Sequence, residues 1–443
     1  MADITLQKDP IDRWLVNPMR RFLKNSSMSG IVLFSAALIA LILSNSPWAE
    51  PFHHFWEINF SIGFGGHQLS KTLHHWINDG LMAVFFFVVG LELKREIISG
   101  ELSNPRNAVL PIVAAVGGMV VPAVIFYVIN PSGEAARGWG IPMATDIAFA
   151  LGILYLLGDR VPVSLKVFLT ALAIADDLGA VLVIAFFYTS TINLENLLTG
   201  VVFLGVLIAG NRIGVRSTLF YGIVGVGGLW LAFLLSGVHA TIAAVLAAFT
   251  IPARVKCDEI TYGAKLDQLL LQFKAAHPNN SSTVTTEQLH ILGEIRNVSK
   301  LALTPLQRLE HAMHPLVAFL IMPVFALANT GVGFSGDSLA QLTGNVTLGV
   351  FCGLVLGKCL GIVGFIVLFV RLRLALLPPG FTPRIVLGAG FLAGVGFTMS
   401  LFIADLAFAD KGLVEEAKMG ILLASTVSGL LGFFLIKSAI KRV

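Results

Sequence analysis

An all-α integral membrane protein with twelve membrane-crossing helices is the fold class this sequence predicts, on three observations. Of its 443 residues, 56% are hydrophobic and only 13% charged, whereas about a quarter are charged in a soluble domain. Apolar stretches recur along it at the length of roughly 20 residues that a hydrocarbon core about 30 Å thick requires. The basic residues alternate in density from one connecting loop to the next, as membrane orientation demands. The net charge of +4 therefore reports topology, and nucleic acid is not an expected partner.

Taken in order, residues 1–28 are polar and basic and lack the short apolar stretch and small-residue site of a cleavable leader. They read as a cytoplasmic segment ahead of an uncleaved first span. Spans follow at about 29–46, 76–94, 107–129, 139–158, 165–188, 194–210, 217–234 and 237–252. Between the first two, Ile58, Phe60, Ile62 and Phe64 alternate before Gly65-Gly66, which predicts a β-hairpin over about 57–69 outside the cytoplasm. Its edge would be open to a second copy of the chain. Residues 253–311 are polar, with helical apolar spacing in Leu266–Phe273 and Leu289–Leu303 on either side of the Asn279–Thr283 turn. A cytoplasmic helical hairpin lying against the membrane surface is expected there. The glycosylation pattern Asn279-Asn280-Ser281 carries no function in a cytoplasmic loop. Four further spans occupy about 312–334, 343–370, 384–408 and 414–436, leaving 437–443 as a cytoplasmic tail.

The count is tested by where charge falls. With both termini in the cytoplasm, Lys71, Arg137, Lys411 and Lys418 are the basic residues assigned to the opposite side, and Lys358 lies within a span. All the others are cytoplasmic, an alternation that one span more or fewer would scramble. Cys257, Cys352 and Cys359 have no CxxC spacing and suggest no metal or redox chemistry; no cofactor is implied.

Against this apolar background the buried ionisable residues stand out. Asp176 and Asp177 are adjacent in the run Ala171–Ile184, and each ionised carboxylate at such depth costs roughly 2.5 to 3.5 kcal/mol. Asp146 in Ala144–Phe149 and Lys358 in Leu356–Leu360 lie in similar settings. Charge in three different spans points to an ion or proton pathway. Glycine and proline interrupt two of the spans, at Pro142 with Thr145-Asp146 and at Gly394-Val395-Gly396 before Thr398. Interrupted spans in the two halves of a chain mark a transporter site. Half-helix ends at the bilayer centre carry about half a unit charge, and Asp146 suits their positive ends. Lys358 suits the negative ends, or pairs with an aspartate. Gly353, Gly357 and Gly361, four apart, allow close helix packing.

Adjacent residues diverge by about 100° around a helix. Asp176 and Asp177 therefore either both line a broad cavity, or one faces Lys358 and the other an ion. A small hard cation takes oxygen ligands, which protonation removes, so proton and cation compete and exchange follows. Intramembrane aspartyl proteolysis needs the acids on separate helices, with a GxGD motif that is absent. Organic-anion symport needs a second buried base beyond Lys358.

Together, Ala144–Gly152, Ala171–Ala180, Ser236–Thr241, Leu309–Pro315, Gly353–Lys358 and Gly394–Ser400 resemble the motifs of the NhaA family of bacterial sodium/proton antiporters, in order, from about residue 26 to the C terminus. That family is itself an example of inverted-topology repeats with broken helices, so the expectation of repeats comes from the resemblance. It implies an electrogenic, pH-regulated Na+(Li+)/H+ antiporter of the bacterial inner membrane, surrounded by lipid and homodimeric. Asp177 resembles the primary Na+ or Li+ ligand and proton acceptor, with Asp176 as its partner, paired with Lys358 when the cation is absent. Either Asp176 or Lys358 carries the second proton. Thr145 and Asp146 resemble the residues of the crossing point. Asp79 beside Asn78, Glu92, Glu96, His239, Glu310, His311 and His314 match positions of cytoplasmic entry and pH response. Two departures are a 253–311 connection expected to be longer than usual and an extra acid, Asp405, expected near the exit and solvated.

Overall fold

The computed structural model describes residues 26–64, 67–189, 192–276, 283–333 and 342–440. Most of the N-terminal segment 1–28, the Gly65-Gly66 turn and Asn279-Asn280-Ser281 lie outside them. The described residues form α1 (Ser26–Ser44), α2 (Ala49–Glu57), β1 (Asn59–Phe64), β2 (His67–Thr72) and α3 (Met82–Ser99), the last entered through a π turn at Trp76–Leu81. They continue with α4 (Pro105–Ile129), a 3-10 helix (Glu134–Met143), α5 (Ile147–Leu156) and α6 (Val163–Phe187). Next come α7 (Leu194–Ile213), α8 (Thr218–Ser236), α9 (Ala240–Thr250), α10 (Glu259–Ala275) and α11 (Thr286–Ala302). The chain ends with α12 (Pro305–Asn329), α13 (Asn345–Arg371), α14 (Pro383–Ala393), α15 (Phe397–Ala407) and α16 (Lys411–Ile440).

This is an all-α membrane protein with one two-stranded ribbon among the described residues. Among the described residues, seven helices are long and apolar enough to cross a bilayer, and up to ten spans result if each sharply bent pair is one. The outer faces match that solvent. Val116, Val120 and Val124 line one side of α4, and Leu198, Val201 and Val202 one side of α7, all exposed. In water such stripes would aggregate; in hydrocarbon they are at home.

Helix boundaries follow local chemistry. Asn104 caps α4 by accepting from Arg106 N, with Pro105 in the first turn, where its missing N–H is harmless. Thr285 and Thr304 each form a reciprocal capping box with a glutamine three residues on. The second box starts α12 at Pro305, earlier than the apolar run beginning at 312 suggests, so the polar Gln307–His311 occupy its first turns. Gly214 ends α7 at φ +88°, a left-handed conformation that glycine adopts without a Cβ clash.

The tenth apolar segment shows what its glycines do. A Cβ on Gly361 would strike the Gly117 carbonyl, and one on Gly117 the Gly361 carbonyl, so α4 and α13 touch backbone to backbone. Gly353 and Gly357 abut Pro122 and Pro142 in the same way. They also lie in a π stretch, Gly353–Gly357, which delivers Lys358 to the interior. Outside the bundle, β1 and β2 pair antiparallel from Asn59↔Thr72 to Phe64↔His67, three residues beyond the expected end. At the other end, α10 and α11 pack through Leu269, Phe273, Ile291 and Ile295. Their base is fastened by Arg216, which donates to the carbonyls of Arg254 and Leu303 at 2.9 Å each.

Candidate functional site

Two broken helices meet inside the bundle. The 3-10 helix ends at Met143, Ala144-Thr145-Asp146 run extended, and α5 departs at 41°. Between α14 and α15 the chain opens at Gly394-Val395-Gly396 and bends by 42°. Neither glycine tolerates a side chain: a Cβ on Gly394 would meet the Leu354 carbonyl, and one on Gly396 the Ser400 hydroxyl. The two openings satisfy one another. Asp146 N donates to the Val395 carbonyl at 2.7 Å, and Thr145 Oγ1 lies 2.8 Å from the Ala393 carbonyl. Backbone groups released by unwinding at membrane depth need such partners.

Asp146 then serves both half-helices that start at the crossing. Its Oδ1 accepts from Phe149 N at 3.0 Å, capping α5. Its Oδ2 accepts from Thr398 N at 3.1 Å and from the Thr398 hydroxyl, in the first turn of α15. Two N-terminal ends of about +0.5 each thus face one carboxylate, and the local charge cancels. Thr398, quoted in the sequence only as a hydroxyl near the break, is the partner that makes this possible.

The aspartate pair divides its duties, as one of the two arrangements open to adjacent residues. Asp176 Oδ2 binds Lys358 Nζ and faces Thr145 Oγ1 at 2.6 Å, while its Oδ1 has no hydrogen-bond partner. Both carboxylate oxygens of Asp177 are unpartnered. Asp146, Asp176 and Asp177 are each 1% exposed and Lys358 is fully buried. Three unsatisfied carboxylate oxygens thus share one buried place, where a bare acceptor is expensive. Asp177 lies within the field of Asp176, Asp146, Glu92 and Lys358. The charges nearly balance: Asp176 against Lys358, Asp146 against two helix ends, and Asp177 against nothing.

The remaining candidates separate into two groups. Arg95 pairs with Glu96 at 2.8 Å and donates to Glu310 at 2.9 Å. Glu92 lies within the field of Glu310, Arg95 and Glu96, and His314 in that of Glu310 and His311. Arg95, unremarked in the sequence, is the hub. Asp79 is elsewhere, thirteen residues before Glu92 and so about 20 Å along the axis; its backbone carbonyl accepts from Trp230. His239 binds the Tyr188 carbonyl at 2.8 Å, at the C-terminal end of α6, and faces Asp79. The expectation that Asp79 and His239 share one entry with Glu310 is therefore corrected: they lie at the opposite end of the bundle. The expectation that Asp405 is solvated is also corrected: its side chain is only 11% exposed. Its neighbours hold it in an interior hydrogen-bond network.

A family model described as Na+/H+ antiporter 1 matches residues 20–436. The Na(+)/H(+) antiporter NhaA of Oleidesulfovibrio alaskensis is 50% identical over 433 residues, covering 98% of this chain and 96% of that protein. That of Acidithiobacillus ferrooxidans is 52% identical over 421 residues, covering 94% and 96%. Na(+)/H(+) antiporter NhaA 2 of Syntrophotalea carbinolica is 49% identical over 430 residues, covering 97% and 98%. These matches run nearly end to end on both chains.

Proposed function

The chain belongs to the Na+/H+ antiporter 1 family, and from that premise we propose an electrogenic, pH-regulated Na+(Li+)/H+ antiporter that extrudes sodium from the cytoplasm by alternating access. The observation that carries this reading is Asp177, a buried carboxylate with both oxygens unpartnered. With its neighbours neutralised in pairs, the pocket needs one more positive charge, and either a proton or an alkali cation supplies it. Asp177 and the free Oδ1 of Asp176 are oxygen donors of the hard kind that such a cation prefers. Protonation of Asp177 removes its charge and its claim on the cation, so the two ligands exclude each other.

Electrogenicity follows from the neighbouring bridge. A cation held by both aspartates draws Asp176 away from Lys358. A buried ammonium without its partner is strongly disfavoured, so a second proton leaves, from Lys358 or from Asp176. Two protons against one Na+ move one charge per cycle. The proposal includes twelve crossings arranged as inverted repeats, both termini in the cytoplasm of a bacterial inner membrane, and a homodimer joined through the β1–β2 ribbon. Glu92, Glu96 and Glu310 around Arg95, with His311 and His314 beside Glu310, form the cluster assigned to the pH response.

The direct test is Asp177→Asn in inside-out vesicles. The isosteric amide keeps the volume and removes the titrating charge, so proton release on adding Na+ or Li+ should vanish while the protein remains folded. Wild-type dequenching by the variant would remove Asp177 from the role.

A further inference from the structure

Away from the crossing, four polar side chains from three elements close a ring. Asn78, in the π turn that leads into α3, donates Nδ2 to Asp405 Oδ2 at 3.0 Å, and its Oδ1 accepts from Asn329 Nδ2 at 3.0 Å. Asn329 Oδ1 in turn lies 2.9 Å from His74 Nε2, which sits 3.6 Å from Asp405 Oδ2. An amide oxygen only accepts, so His74 Nε2 carries the proton in this arrangement. Asn329 is fully buried and Asn78 nearly so. His74, Asn329 and Asn78 are hydrogen-bonded in series, and Asp405 accepts from Asn78 while its charge faces His74 across 3.6 Å.

The ring's position gives it meaning. Asp405 is on α15, the half-helix whose first turn binds Asp146 through Thr398. It lies seven residues beyond Thr398, about 10 Å along the axis. Asn78 and Asn329 belong to the α3 and α12 elements, which contribute nothing to the Asp146–Thr398 crossing and are joined to each other at their far ends by Arg95 and Glu310. One turn nearer the crossing, Phe402 packs against Phe86 of α3 and Phe325 of α12, with ring centroids at 5.5 and 6.3 Å. An aromatic seal and a polar ring are thus stacked on the same seam. His74 follows directly from β2, so this is the ribbon side of the molecule.

We propose that Asp405 is a positioning residue for exchange: the ring it closes, backed by the Phe402 seal, holds the seam between α15 and the α3–α12 pair shut on the ribbon side, and it must open for the ion site to face that side. The inference rests on the alternating-access reading above. An acid serves here because Asp405 Oδ2 accepts from Asn78 and its negative charge attracts His74 at 3.6 Å; alanine offers neither and asparagine lacks the charge.

The test uses the full-length protein in sealed vesicles, with Cys257, Cys352 and Cys359 changed to alanine and a single reporter, Ala404→Cys, on α15. A membrane-impermeant maleimide applied from the ribbon side should label the reporter at least threefold faster with Asp405→Ala than without it. His74→Gln should act in the same direction, more weakly, and the apparent KM for Na+ at that face should fall more than the maximal rate changes. The charge-swapped pair His74→Asp with Asp405→His should restore slow labelling. Equal labelling rates for Asp405 and its alanine or asparagine variants, with an unchanged KM, would overturn the proposal, as would faster labelling that the swap fails to reverse. Should the alanine variant not fold, the asparagine variant and His74→Gln carry the same comparison. Absence of Na+-driven proton flux in the unaltered protein would instead sink the exchange reading, whereas the labelling contrast is read without any flux.

Discussion

At the residue scale, the site is a problem of charge pairing in a medium that punishes imbalance. Lys358 is fully buried and bound to Asp176, and removing one member of such a pair costs about 3–5 kcal/mol because the other is stranded. Lys358→Ala is therefore expected to lower the thermal midpoint of the purified protein by several degrees and to displace the pH profile of exchange. An unchanged melting curve together with an unchanged profile would mean that the bridge is inert. Asp146→Ala removes caps from two helices at once, each worth about 1 kcal/mol. Its midpoint should fall further than that of Thr398→Ala, which leaves the α5 cap in place; equal falls would show that the double cap is not the reason for Asp146. Which residues were legible in the sequence follows from the same physics. Asp146, Asp176, Asp177 and Lys358 announced themselves because charge is rare in apolar runs. Thr398 did not, since a threonine in a span is ordinary until a carboxylate 252 positions away is placed beside it. Arg95 and the ring around Asp405 escaped for the same reason: each partner is unexceptional alone, and spacing reports neighbours within a turn or two, never contacts between distant spans.

At the element scale, backbone proximity and interruption matter more than helix propensity. The mutual approach of Gly117 and Gly361 leaves no room for a Cβ on either. Gly361→Val should destabilise the protein by at least 1–3 kcal/mol, the usual range for overpacking, while Gly364→Val, whose Cβ would meet nothing within 4 Å, should be nearly neutral. Comparing the two melting midpoints checks this, and similar losses would refute the close contact. Sequence periodicity located the apolar segments and both interruptions, because glycine pairs and Pro142 are visible one-dimensionally. It located the apolar run from about 312 but not the helix start ahead of it, because a capping box with Pro305 outweighs the polarity of the residues that follow it. It could not foresee the π stretch at Gly353–Gly357, where Pro122 and Pro142 approach from other segments.

At the scale of the whole molecule, two polar clusters sit at opposite ends of the bundle with the helix crossing between them. Asp79 and His239 share the end of the ribbon, and Glu310 with Arg95 and Glu96 the other. Composition had indicated the class of protein, but it could not assign a residue to an end once its span was long and its neighbours unknown. The ribbon projects from the bundle, with Phe60 and Ile62 of β1 exposed, and a bare strand edge invites pairing. Cysteines placed at Ser61 should cross-link two copies in native membranes, and deletion of 59–72 should leave a monomer that still exchanges ions more slowly. Failure of Ser61 cysteines to cross-link under oxidation would remove the ribbon as the dimer contact.

The shared carboxylate at the crossing has a mechanical corollary. Because Asp146 is pinned to the starts of both α5 and α15, neither interrupted helix can slide past the other without stripping donors bare in hydrocarbon. The crossed pair is one riveted piece, so under the proposed alternating access it would tilt as a unit against its frame.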